Sequence, residues 1–330
     1  MKALVTGGAG FMGANLTEYL LTKNMKVTVL DDLSGGFKEN IPEGVEFVEG
    51  SVCDANLVND LFSNKQFDYV YHLAAYAAEG LSHFIKNFNY RNNLIGSVNL
   101  INASINFKSV KCFVFTSSIA VYGKNQLPMT EDLIPTPEDS YGIAKYAVEQ
   151  ELAISKEIFG LEYVIFRPHN VYGEKQNIGD KYRNVIGIFM NQILQRKPIT
   201  IFGDGKQTRA FSYIKDIIPA IGNSALHSDC YGQVFNVGAD EVYTVKELAY
   251  EVIKAMKKET EIIHLKERNE VKHAFSDHSK AIAYFGKQKN TSLSDGLVRM
   301  AKWVETVGSK TSNEFENIEI LKNLPESWRI

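Results

Sequence analysis

The 330-residue chain contains few cysteines, no long apolar run and no long basic run. Its three cysteines (Cys53, Cys112 and Cys230) are too few for a disulfide framework and lack the spacing of a metal site, which favours reduced thiols in the cytosol. No apolar stretch reaches the roughly 18 residues of a transmembrane helix, and the N-terminus leads into a strand rather than a signal peptide. A net charge of −3 argues against a nucleic-acid partner. We therefore expect a cytoplasmic protein with no membrane, metal or nucleic-acid partner.

The first half of the chain alternates between strand-like and helix-like segments. Apolar, β-rich runs predict strands at Ala3–Thr6, Val27–Leu30, Val45–Val48, Tyr69–Leu73, Cys112–Thr116 and Glu162–Phe166. Helical spacing is found at 14–23, 82–107 and 141–158. Strands that alternate with helices form parallel sheets, with ligands at the carboxyl ends of the strands. The predicted fold is therefore α/β, with a Rossmann-type doubly wound parallel sheet.

The pattern becomes irregular after about residue 170, where the loops lengthen. Helices are still predicted at 184–196, 215–227, 244–258 and 293–305. We expect a cofactor-binding domain at residues 1–170 and a smaller C-terminal α/β lobe at residues 171–330 that closes over the cofactor. The pattern leaves room for some segments of this lobe to return to the main sheet.

Three glycines follow the first predicted strand and open the first predicted helix: Gly7, Gly10 and Gly13. Glycines at this spacing let the backbone turn tightly and approach a pyrophosphate at a helix N-terminus. A glycine triad alone is weak evidence, because many strand–helix turns contain glycine. Here Asp31 ends the next strand about 20 residues later, where a carboxylate accepts both ribose hydroxyls and repels a 2′-phosphate. We therefore predict NAD rather than NADP, and Asp32 fits either this site or a solvated turn.

Tyr141 and Lys145 are four residues apart on one face of a predicted helix. A lysine ammonium beside a phenol stabilises the phenolate and lowers a pKa that is about 10 in free solution. The resulting base can act near neutral pH, and Ser118 can complete a hydrogen-bond relay to a substrate alcohol. Each residue alone also fits packing or a solvated surface. Together with the glycine loop, they predict oxidation of an alcohol by a nicotinamide cofactor.

Eight stretches extend this pattern along the chain: Thr6–Gly13, Asp31–Ser34, His72–Ala75, Asn92–Gly96, Thr116–Gly123, Tyr141–Lys145, Arg167–Gly173 and Phe202–Arg209. In sequence and order they resemble the NAD-dependent nucleotide-sugar epimerase/dehydratase family, part of the extended short-chain dehydrogenase/reductase superfamily. The resemblance implies bound NAD, a nucleotide-sugar substrate and a homodimer that pairs through the helices at 82–107 and 141–158. The apolar residues of these helices could instead all belong to the monomer core.

The resemblance also implies roles for individual residues. Tyr141 would be the base, Lys145 would lower its pKa and hold the nicotinamide ribose, and Ser118 would hydrogen-bond the reacting hydroxyl. The implied cofactor contacts are Gly7, Gly10, Phe11, Met12, Gly13, Asp31, Asp32, Ser51, Val52, Leu73, Ala74, Ala75, Asn93, Ser117, Tyr141, Lys145 and His169. The implied substrate contacts are Glu79, Ser118, Tyr141, Asn170, Arg209, Arg268 and Ala274. Because a guanidinium fork suits phosphate oxygens, Arg209 and Arg268 would bind the diphosphate, although Arg268 also fits a surface charge.

Four features depart from the usual pattern of the family. One is the segment from Arg268 to Val271, which is a residue shorter than usual. Ser51 stands where an aspartate usually contacts adenine, which leaves Asp54 as an alternative contact. His169 replaces an aromatic or other residue near the nicotinamide, where it could stack, donate a hydrogen bond or simply pack. Glu79 and His83 follow the fourth predicted strand, where both sugar contacts and a solvated loop fit.

The residues after Thr116 bear on the reaction. The 4,6-dehydratases of the family carry an Asp-Glu pair there, and this chain has Ser117 and Ser118 instead, which argues against dehydration. Tyr141, Lys145, Ser118 and tightly held NAD suffice to oxidise a carbinol and return hydride to its other face. The primary hypothesis is therefore inversion of C4 of a UDP-hexose.

Three alternatives remain open. A net reductase and a GDP-mannose 3,5-epimerase share most of these motifs, although a second acid/base pair is not visible, because Cys112 looks core-facing. The third alternative is a non-catalytic NAD-binding module. Within the epimerase reading, Ala274 aligns with a gate position where a small residue would admit an N-acetyl group, as in UDP-GlcNAc.

Overall fold

The computed structural model describes residues 1–268, 270–287, 290–311 and 315–329. Within these ranges the strands, numbered β1 to β14 in chain order, are Lys2–Thr6, Lys26–Asp31, Glu46–Glu49, Tyr69–His72, Cys112–Thr116, Tyr163–Pro168, Val171–Tyr172, Ile199–Phe202, Thr208–Ala210, Ser212–Tyr213, Gln233–Val237, Val242–Thr244, Ile262–Leu265 and His273–Ala274. The α-helices, numbered α1 to α11, are Phe11–Thr22, Ala55–Lys65, Glu79–Ser82, Lys86–Tyr90, Gly96–Phe107, Ser140–Phe159, Val185–Leu194, Ile214–Ser224, Val245–Met256, Ser279–Phe285 and Leu293–Val307. None of the helices in this described part combines the length and apolarity needed to cross a membrane.

Seven parallel strands form the main sheet, in the spatial order β11-β6-β5-β4-β1-β2-β3. Every residue of β4, β5 and β6 is buried, as expected for central strands that helices cover on both faces. The chain runs from β1 outward to β3 and then from β4 outward to β6, which is the doubly wound order. The predicted Rossmann-type α/β fold is therefore confirmed. The six predicted strands agree with the observed ones to within two residues at each end.

One strand from the second half of the chain, β11, lies in the main sheet. It pairs in parallel with β6, from Gln233 beside Val164 to Val237 beside Pro168. The remaining strands form smaller sheets, in which β9 lies between β12 and β14, β8 pairs with β13, and β7 pairs with β10. Residues of β8 and β9 reach the carboxyl ends of the main strands, where they help to form a cleft.

Helix α6 carries two of the predicted catalytic residues, and local sequence fixes both of its ends. The Asp139 carboxylate caps the N-terminus by accepting a hydrogen bond from the backbone nitrogen of Gly142 at 2.8 Å. Gly160 ends the helix with φ of 73°, a left-handed conformation that glycine adopts readily. The observed bounds agree with the predicted ones to within one residue at each end. Tyr141 therefore lies in the first turn of the helix.

The long helix predicted at 82–107 is interrupted. A π-helical turn at Arg91–Ile95 separates α4 from α5, and such turns often accompany functional sites. Asn93 lies in this turn and brackets the backbone of Tyr76: its Oδ1 accepts from the Tyr76 nitrogen at 2.9 Å and its Nδ2 donates to the Tyr76 oxygen at 3.1 Å. Through Asn93, the π-helical turn therefore holds the loop that follows β4 in place.

Candidate active site

A cleft of about 420 Å³ opens at the carboxyl ends of the main strands, the usual ligand position in a doubly wound sheet. The loops after β1, β2 and β4 form one side, and residues around β8 and β9 form the other. The predicted site residues that line this cleft are Gly7, Gly10, Phe11, Met12, Gly13, Asp31, Asp32, Val52, Leu73, Ala74, Ala75, Glu79, Ser117, Ser118, Tyr141, Lys145, Asn170, Arg209 and Arg268.

The glycine loop leaves no space for side chains. Gly7 has φ of +71°, and a Cβ there would lie 2.7 Å from the backbone nitrogen of Ala74. A Cβ on Gly13 would lie 2.1 Å from the carbonyl oxygen of Gly7. α1 begins directly after Gly10, so the free backbone N–H groups of its first turn and its positive dipole end lie at the cleft. These features fit the pyrophosphate of a dinucleotide.

Asp31 lies at the end of β2, beside the glycine loop. Its carboxylate accepts hydrogen bonds from the backbone nitrogens of Ala9 at 3.0 Å and Leu33 at 2.8 Å. Burial raises the pKa of Asp31 above its usual value, although these two hydrogen bonds oppose the rise. A carboxylate accepts about four hydrogen bonds, so acceptor positions remain for ribose hydroxyls. The geometry therefore fits the adenosine ribose of NAD.

The structure brings Ser118, Tyr141 and Lys145 together at the end of β5. The Ser118 side chain lies close enough to the Tyr141 phenol to lower its pKa. The Nζ of Lys145 lies 5.8 Å from the centre of the Tyr141 ring and donates to the backbone oxygen of Thr116 at 2.8 Å. All three residues are buried, with exposed fractions of 8%, 5% and 2%. Because these three side chains are buried, a proton on any of them can move only to a few neighbouring groups, and the fold holds those groups in place.

The expected lowering of the Tyr141 pKa by Lys145 is not found in the chain alone. Burial raises the pKa of Tyr141 above its usual value, the Glu79 carboxylate raises it further, and the Ser118 hydrogen bond lowers it only in part. Burial also lowers the pKa of Lys145 to about 7, which weakens the positive charge that was expected to stabilise the phenolate. A further positive charge beside Tyr141 is needed for it to act as a base at neutral pH.

A buried chain of hydrogen bonds supports the loop after β4. The Oγ1 of Thr6 lies 2.7 Å from Nδ1 of His72, and Nε2 of His72 lies 2.7 Å from Oγ of Ser97. The backbone nitrogen of Ala74 donates to the Thr6 hydroxyl at 3.3 Å. Burial lowers the pKa of His72 well below its usual value, which favours a neutral ring. The cofactor side of the cleft is thereby tied to β1 and α5.

A buried ion pair behind the catalytic group was not predicted. Arg167 on β6 and Glu149 on α6 form a salt bridge in which each side chain is only 4% exposed. The Ser117 hydroxyl donates to the same carboxylate, and the Arg167 guanidinium lies 4.7 Å from the centre of the Tyr122 ring. Arg167 stands in a motif that the sequence singled out, but nothing in the sequence identified Glu149 as its partner. The pair fixes the segment that carries Ser117.

The second side of the cleft combines guanidinium groups with carboxylates. Arg268 pairs with Glu270 at 2.9 Å. Arg209 donates to three backbone oxygens at 2.6 to 3.0 Å, those of Thr208, Val271 and Lys272. A guanidinium has five N–H donors, so these backbone contacts leave capacity on Arg209 for a ligand. The wall therefore offers two cations to an anionic ligand.

Glu79 enters the cleft from α3, close to Tyr141. The Ser82 hydroxyl joins the two, because it donates to the Glu79 backbone oxygen at 2.7 Å and accepts from the Tyr141 backbone nitrogen at 3.2 Å. Glu79 is exposed to solvent and also lines the cleft. Partial loss of bulk solvent in the cleft raises the pKa of Glu79 to about 7, and the Asp139 carboxylate adds to the rise.

Several cleft residues after β7 were not predicted, among them Asn177 and Arg183. The Nε of Arg183 donates to the Asp180 carboxylate at 2.7 Å, and its guanidinium lies 4.7 Å from the centre of the Tyr76 ring. The available signal was the run of polar residues directly after the motif that ends at Gly173. This segment comes shortly after β6, whose carboxyl end lies at the ligand-binding edge of the main sheet.

Four of the predicted contact residues are not among those that line the cleft: Ser51, Asn93, His169 and Ala274. The Ser51 hydroxyl accepts from the Cys53 backbone nitrogen at 3.2 Å. His169 is 2% exposed and its ring stacks on that of His278 at 5.0 Å, which favours the packing role. Ala274 belongs to a buried apolar cluster, so the structure gives no support to a gate at this position. In the described part of the chain, no group of His, Cys, Asp or Glu side chains is placed to hold a metal ion.

Comparisons with known proteins match both the fold and the site. A model of the NAD dependent epimerase/dehydratase family matches residues 3–238. The UDP-glucose 4-epimerase of Mycolicibacterium smegmatis is 31% identical over 319 residues, covering 94% of this chain and 100% of that protein. The structure of Thermotoga maritima UDP-glucose 4-epimerase with UDP-glucose has a TM-score of 0.88 at 33% identity, covering 93% of this chain and 99% of that one.

A second solved structure, the UDP-N-acetylglucosamine 4-epimerase of Methanobrevibacter ruminantium in complex with UDP-N-acetylmuramic acid, has a TM-score of 0.84 at 32% identity. The match covers 93% of this chain and 98% of that one. Because the family model spans most of its length, and the cleft has the glycine loop and carboxylate that the cofactor requires, the chain belongs to the NAD-dependent epimerase/dehydratase family, with NAD as its cofactor.

Proposed function

We propose that the chain is an NAD-dependent epimerase that inverts C4 of a UDP-hexose, such as UDP-glucose or UDP-galactose, through a transient 4-keto sugar. The observation that carries this proposal is the grouping of Ser118, Tyr141 and Lys145 beside a glycine loop that fits NAD. Inversion at C4 needs one base, one hydrogen-bond partner and a retained cofactor. The similarity to UDP-glucose 4-epimerases over most of the chain supports the substrate class.

In the proposed reaction the residues of the chain handle one proton and hold the sugar. When bound, NAD supplies reversible hydride transfer and, in its oxidised nicotinamide, the positive charge that the chain alone does not give to Tyr141. Tyr141 takes the proton of the C4 hydroxyl, and Ser118 hydrogen-bonds the same oxygen. Lys145 is anchored on the Thr116 carbonyl, which keeps its amine beside the phenolate. The same phenol returns the proton after the keto sugar has turned its other face.

The residues at the end of β5 argue against dehydration, which needs an additional acid and base there. The Ser117 hydroxyl is engaged by Glu149 behind the cleft. Ile119 is 7% exposed and belongs to a buried apolar cluster. Ser118 has a hydroxyl and no carboxylate, and it interacts with Tyr141. No carboxylate follows Thr116 in positions 117 to 120, in contrast to the Asp-Glu pair of the dehydratases.

Binding of a diphosphate on the second side of the cleft is supported by three residues that line the cleft: Asn170, Arg209 and Arg268. Two guanidinium groups match a diphosphate in charge, and their planar forks suit its oxygens. Asn170 is fixed beside them, because its Nδ2 donates to the Ala210 backbone oxygen at 3.1 Å. With a diphosphate in this position, the attached sugar would point toward Tyr141 and Glu79.

Glu79 favours a second candidate, inversion at a carbon next to the keto group, as in a 3,5-epimerase. A 4-keto sugar acidifies its C3 and C5 hydrogens, so a carboxylate can remove one as a proton while the bonding electrons move toward the keto oxygen. Glu79 lies in the cleft near Tyr141, and a pKa of about 7 suits such a base. The proton would exchange with solvent before it returned to carbon.

We also propose a homodimer. Helix α6 exposes three isoleucines, Ile143, Ile154 and Ile158, with exposed fractions of 44%, 49% and 64%. Ile154 and Ile158 are one turn apart and Ile143 is three turns before Ile154, so all three lie toward one side of the helix. Ile95, directly before α5, is 50% exposed. An apolar face of this kind supports pairing with a second copy of the chain.

The test is NMR of the purified protein in D₂O with UDP-galactose, UDP-GlcNAc and GDP-mannose in separate reactions, without added cofactor. C4 inversion of a UDP-sugar with no deuterium on the ring carbons would support the main proposal, and turnover of UDP-GlcNAc would extend it to N-acetyl sugars. Deuterium at C3 or C5 would support the second candidate. A 4-keto-6-deoxy product as the sole outcome would overturn both.

A further inference from the structure

The end of the chain folds back onto the substrate side of the cleft. We call residues 315–329 the C-terminal strap. Near its start, the ring of Phe315 lies 5.6 Å from that of Tyr76 and 4.9 Å from that of Phe88. The Phe315 backbone nitrogen donates to the Tyr182 hydroxyl at 3.2 Å. Tyr76 and Tyr182 both line the cleft, so the strap packs against the back of its wall.

Polar contacts anchor the middle of the strap to α4. The Glu319 carboxylate accepts from the backbone nitrogens of Asn87 at 2.9 Å and Phe88 at 3.0 Å, in the first turn of the helix. The backbone nitrogens of Glu319 and Ile320 donate to the Phe84 oxygen at 2.8 and 3.2 Å. A carboxylate that satisfies free N–H groups at a helix N-terminus stabilises both partners. The strap is therefore attached, rather than merely lying on the surface.

Trp328, near the end of the strap, is 3% exposed. Its ring lies 5.3 Å from that of Tyr182 and 6.2 Å from that of Phe202, both edge-on. The Arg268 guanidinium lies 4.6 Å from the Phe202 ring and 5.7 Å from the Trp328 ring. A Cβ on Gly80 would lie only 3.2 Å from the Trp328 ring, so the indole also touches the backbone of α3. Trp328 thus contacts the elements that carry Arg268 and Glu79.

These contacts matter because arginine has many rotamers. Ordering such a side chain costs conformational entropy when a ligand has to do it. Stacking on aromatic rings and pairing with Glu270 at 2.9 Å fix the guanidinium before a ligand arrives. The Glu270 carboxylate lies beside Arg268 at the cleft. The rings of Phe202 and Trp328 therefore add to this ion pair in holding the Arg268 guanidinium in the cleft wall.

We propose that the C-terminal strap is a positioning element of the substrate-binding side, in which Trp328 holds Arg268 and α3 in place for the diphosphate of the nucleotide sugar. This inference rests on the proposed function. The strap contacts Phe202 and Arg268 on the second side of the cleft and residues 76–88 after β4 on the first, whereas the glycine loop and Asp31 lie at the ends of β1 and β2. Loss of Trp328 therefore weakens binding of the substrate and leaves NAD in place.

The test compares Trp328→Ala with two matched variants. In Trp328→Ala we expect KM for the nucleotide sugar and the dissociation constant for UDP to rise about tenfold, with kcat within about threefold and the NAD content unchanged. Trp328→Phe, which keeps an aromatic ring, should restore most of the UDP affinity. Trp303→Ala removes the other tryptophan, which packs against the main core from α11, and should leave UDP affinity unchanged.

A further measurement, hydrogen exchange, keeps the outcomes separate. Hydrogen exchange of residues 76–88 should speed up in Trp328→Ala and in Glu319→Gln, and not in Trp303→Ala. A folded Trp328→Ala that binds UDP as the wild type does, with unchanged exchange in this segment, would overturn the strap proposal. If the wild type retains NAD but does not bind UDP, the proposed substrate is wrong, and the exchange of residues 76–88 still decides whether the strap holds this wall.

Discussion

Lys145 donates a hydrogen bond from its Nζ to the backbone oxygen of Thr116, at 2.8 Å. The bond holds the amine at the end of β5, 4.7 Å from the centre of the Phe115 ring and 5.8 Å from that of Tyr141. Burial lowers the pKa of Lys145 to about 7, and the Glu149 carboxylate opposes that change. Whether the Lys145 amine carries a proton therefore depends on the charges around it, including those of the NAD that the family binds.

Replacement of Lys145 by Met removes the amine and keeps most of the apolar side chain. We expect kcat/KM to fall by about 100-fold or more, since Tyr141 loses the amine that, together with the positive charge of bound NAD, would stabilise its phenolate. Steady-state kinetics on the substrate identified by NMR measures the effect. Lys156→Met, on the same helix but paired with Glu162 at its far end, is the control and should retain activity. Wild-type turnover in Lys145→Met would contradict the assigned role.

Glu79→Gln tests the raised pKa of Glu79 through its effect on how stability changes with pH. The Glu79 pKa is raised to about 7 in the folded protein, compared with an ordinary value near 4.5. Between these values the folded state binds more protons than the unfolded state, so this group makes stability fall as pH rises from about 4.5 to 7. Glutamine mimics the protonated form and removes that fall.

The measurement for this variant is the melting temperature of each protein at pH 5 and pH 8. Glu79→Gln should raise the melting temperature relative to wild type more at pH 8 than at pH 5. The control is Glu138→Gln, which removes a cleft-lining carboxylate that pairs with Lys124 at 3.3 Å. The same difference between variant and wild type at both pH values would refute the raised pKa.

Arg167→Met should destabilise the fold, because it leaves the Glu149 carboxylate buried without its ion-pair partner. Breaking a buried pair in this way costs about 3–5 kcal/mol. Urea denaturation followed by circular dichroism measures the loss. The double variant Arg167→Met/Glu149→Leu should recover most of it, since it removes the stranded charge. A single variant as stable as the wild type would show that the pair contributes little.

Ile154→Glu should convert the proposed homodimer into a monomer. The substitution places a charge on the exposed apolar side of α6, where it would be buried without a partner in a dimer. Size-exclusion chromatography with light scattering gives the mass directly. Ile134→Glu changes an isoleucine that is 78% exposed outside this helix and should leave the mass unchanged. A wild-type protein that is already monomeric at micromolar concentration would refute the dimer.

The fold and the cofactor side were predictable because their signals are local. The glycine spacing, the acid at the end of the second strand and the Tyr141–Lys145 spacing each fall within one strand–loop–helix unit, where periodicity and turn chemistry decide the structure. The helical spacing over 141–158 likewise predicted the bounds of α6 to within a residue. Ligand position then follows from the parallel sheet.

The substrate side was less predictable because its contacts join distant parts of the chain. Glu319 caps α4 from more than 230 positions away, and His169 meets His278 across 109 positions. No periodic pattern reports such pairs. Ala274, the predicted gate, lies in a buried apolar cluster, and the gate assignment stays a prediction. The shift of the Tyr141 pKa also escaped prediction, because it is set by burial.

The most direct test of the central claim follows a deuterium label at C4. The purified protein is incubated with UDP-[4-²H]galactose in H₂O without added cofactor, and the products are examined by NMR and mass spectrometry. Hydride that leaves and returns within one active site predicts UDP-glucose that keeps its deuterium at C4. Loss of the label to solvent, or no conversion while NAD remains bound, would contradict the proposed C4 epimerase.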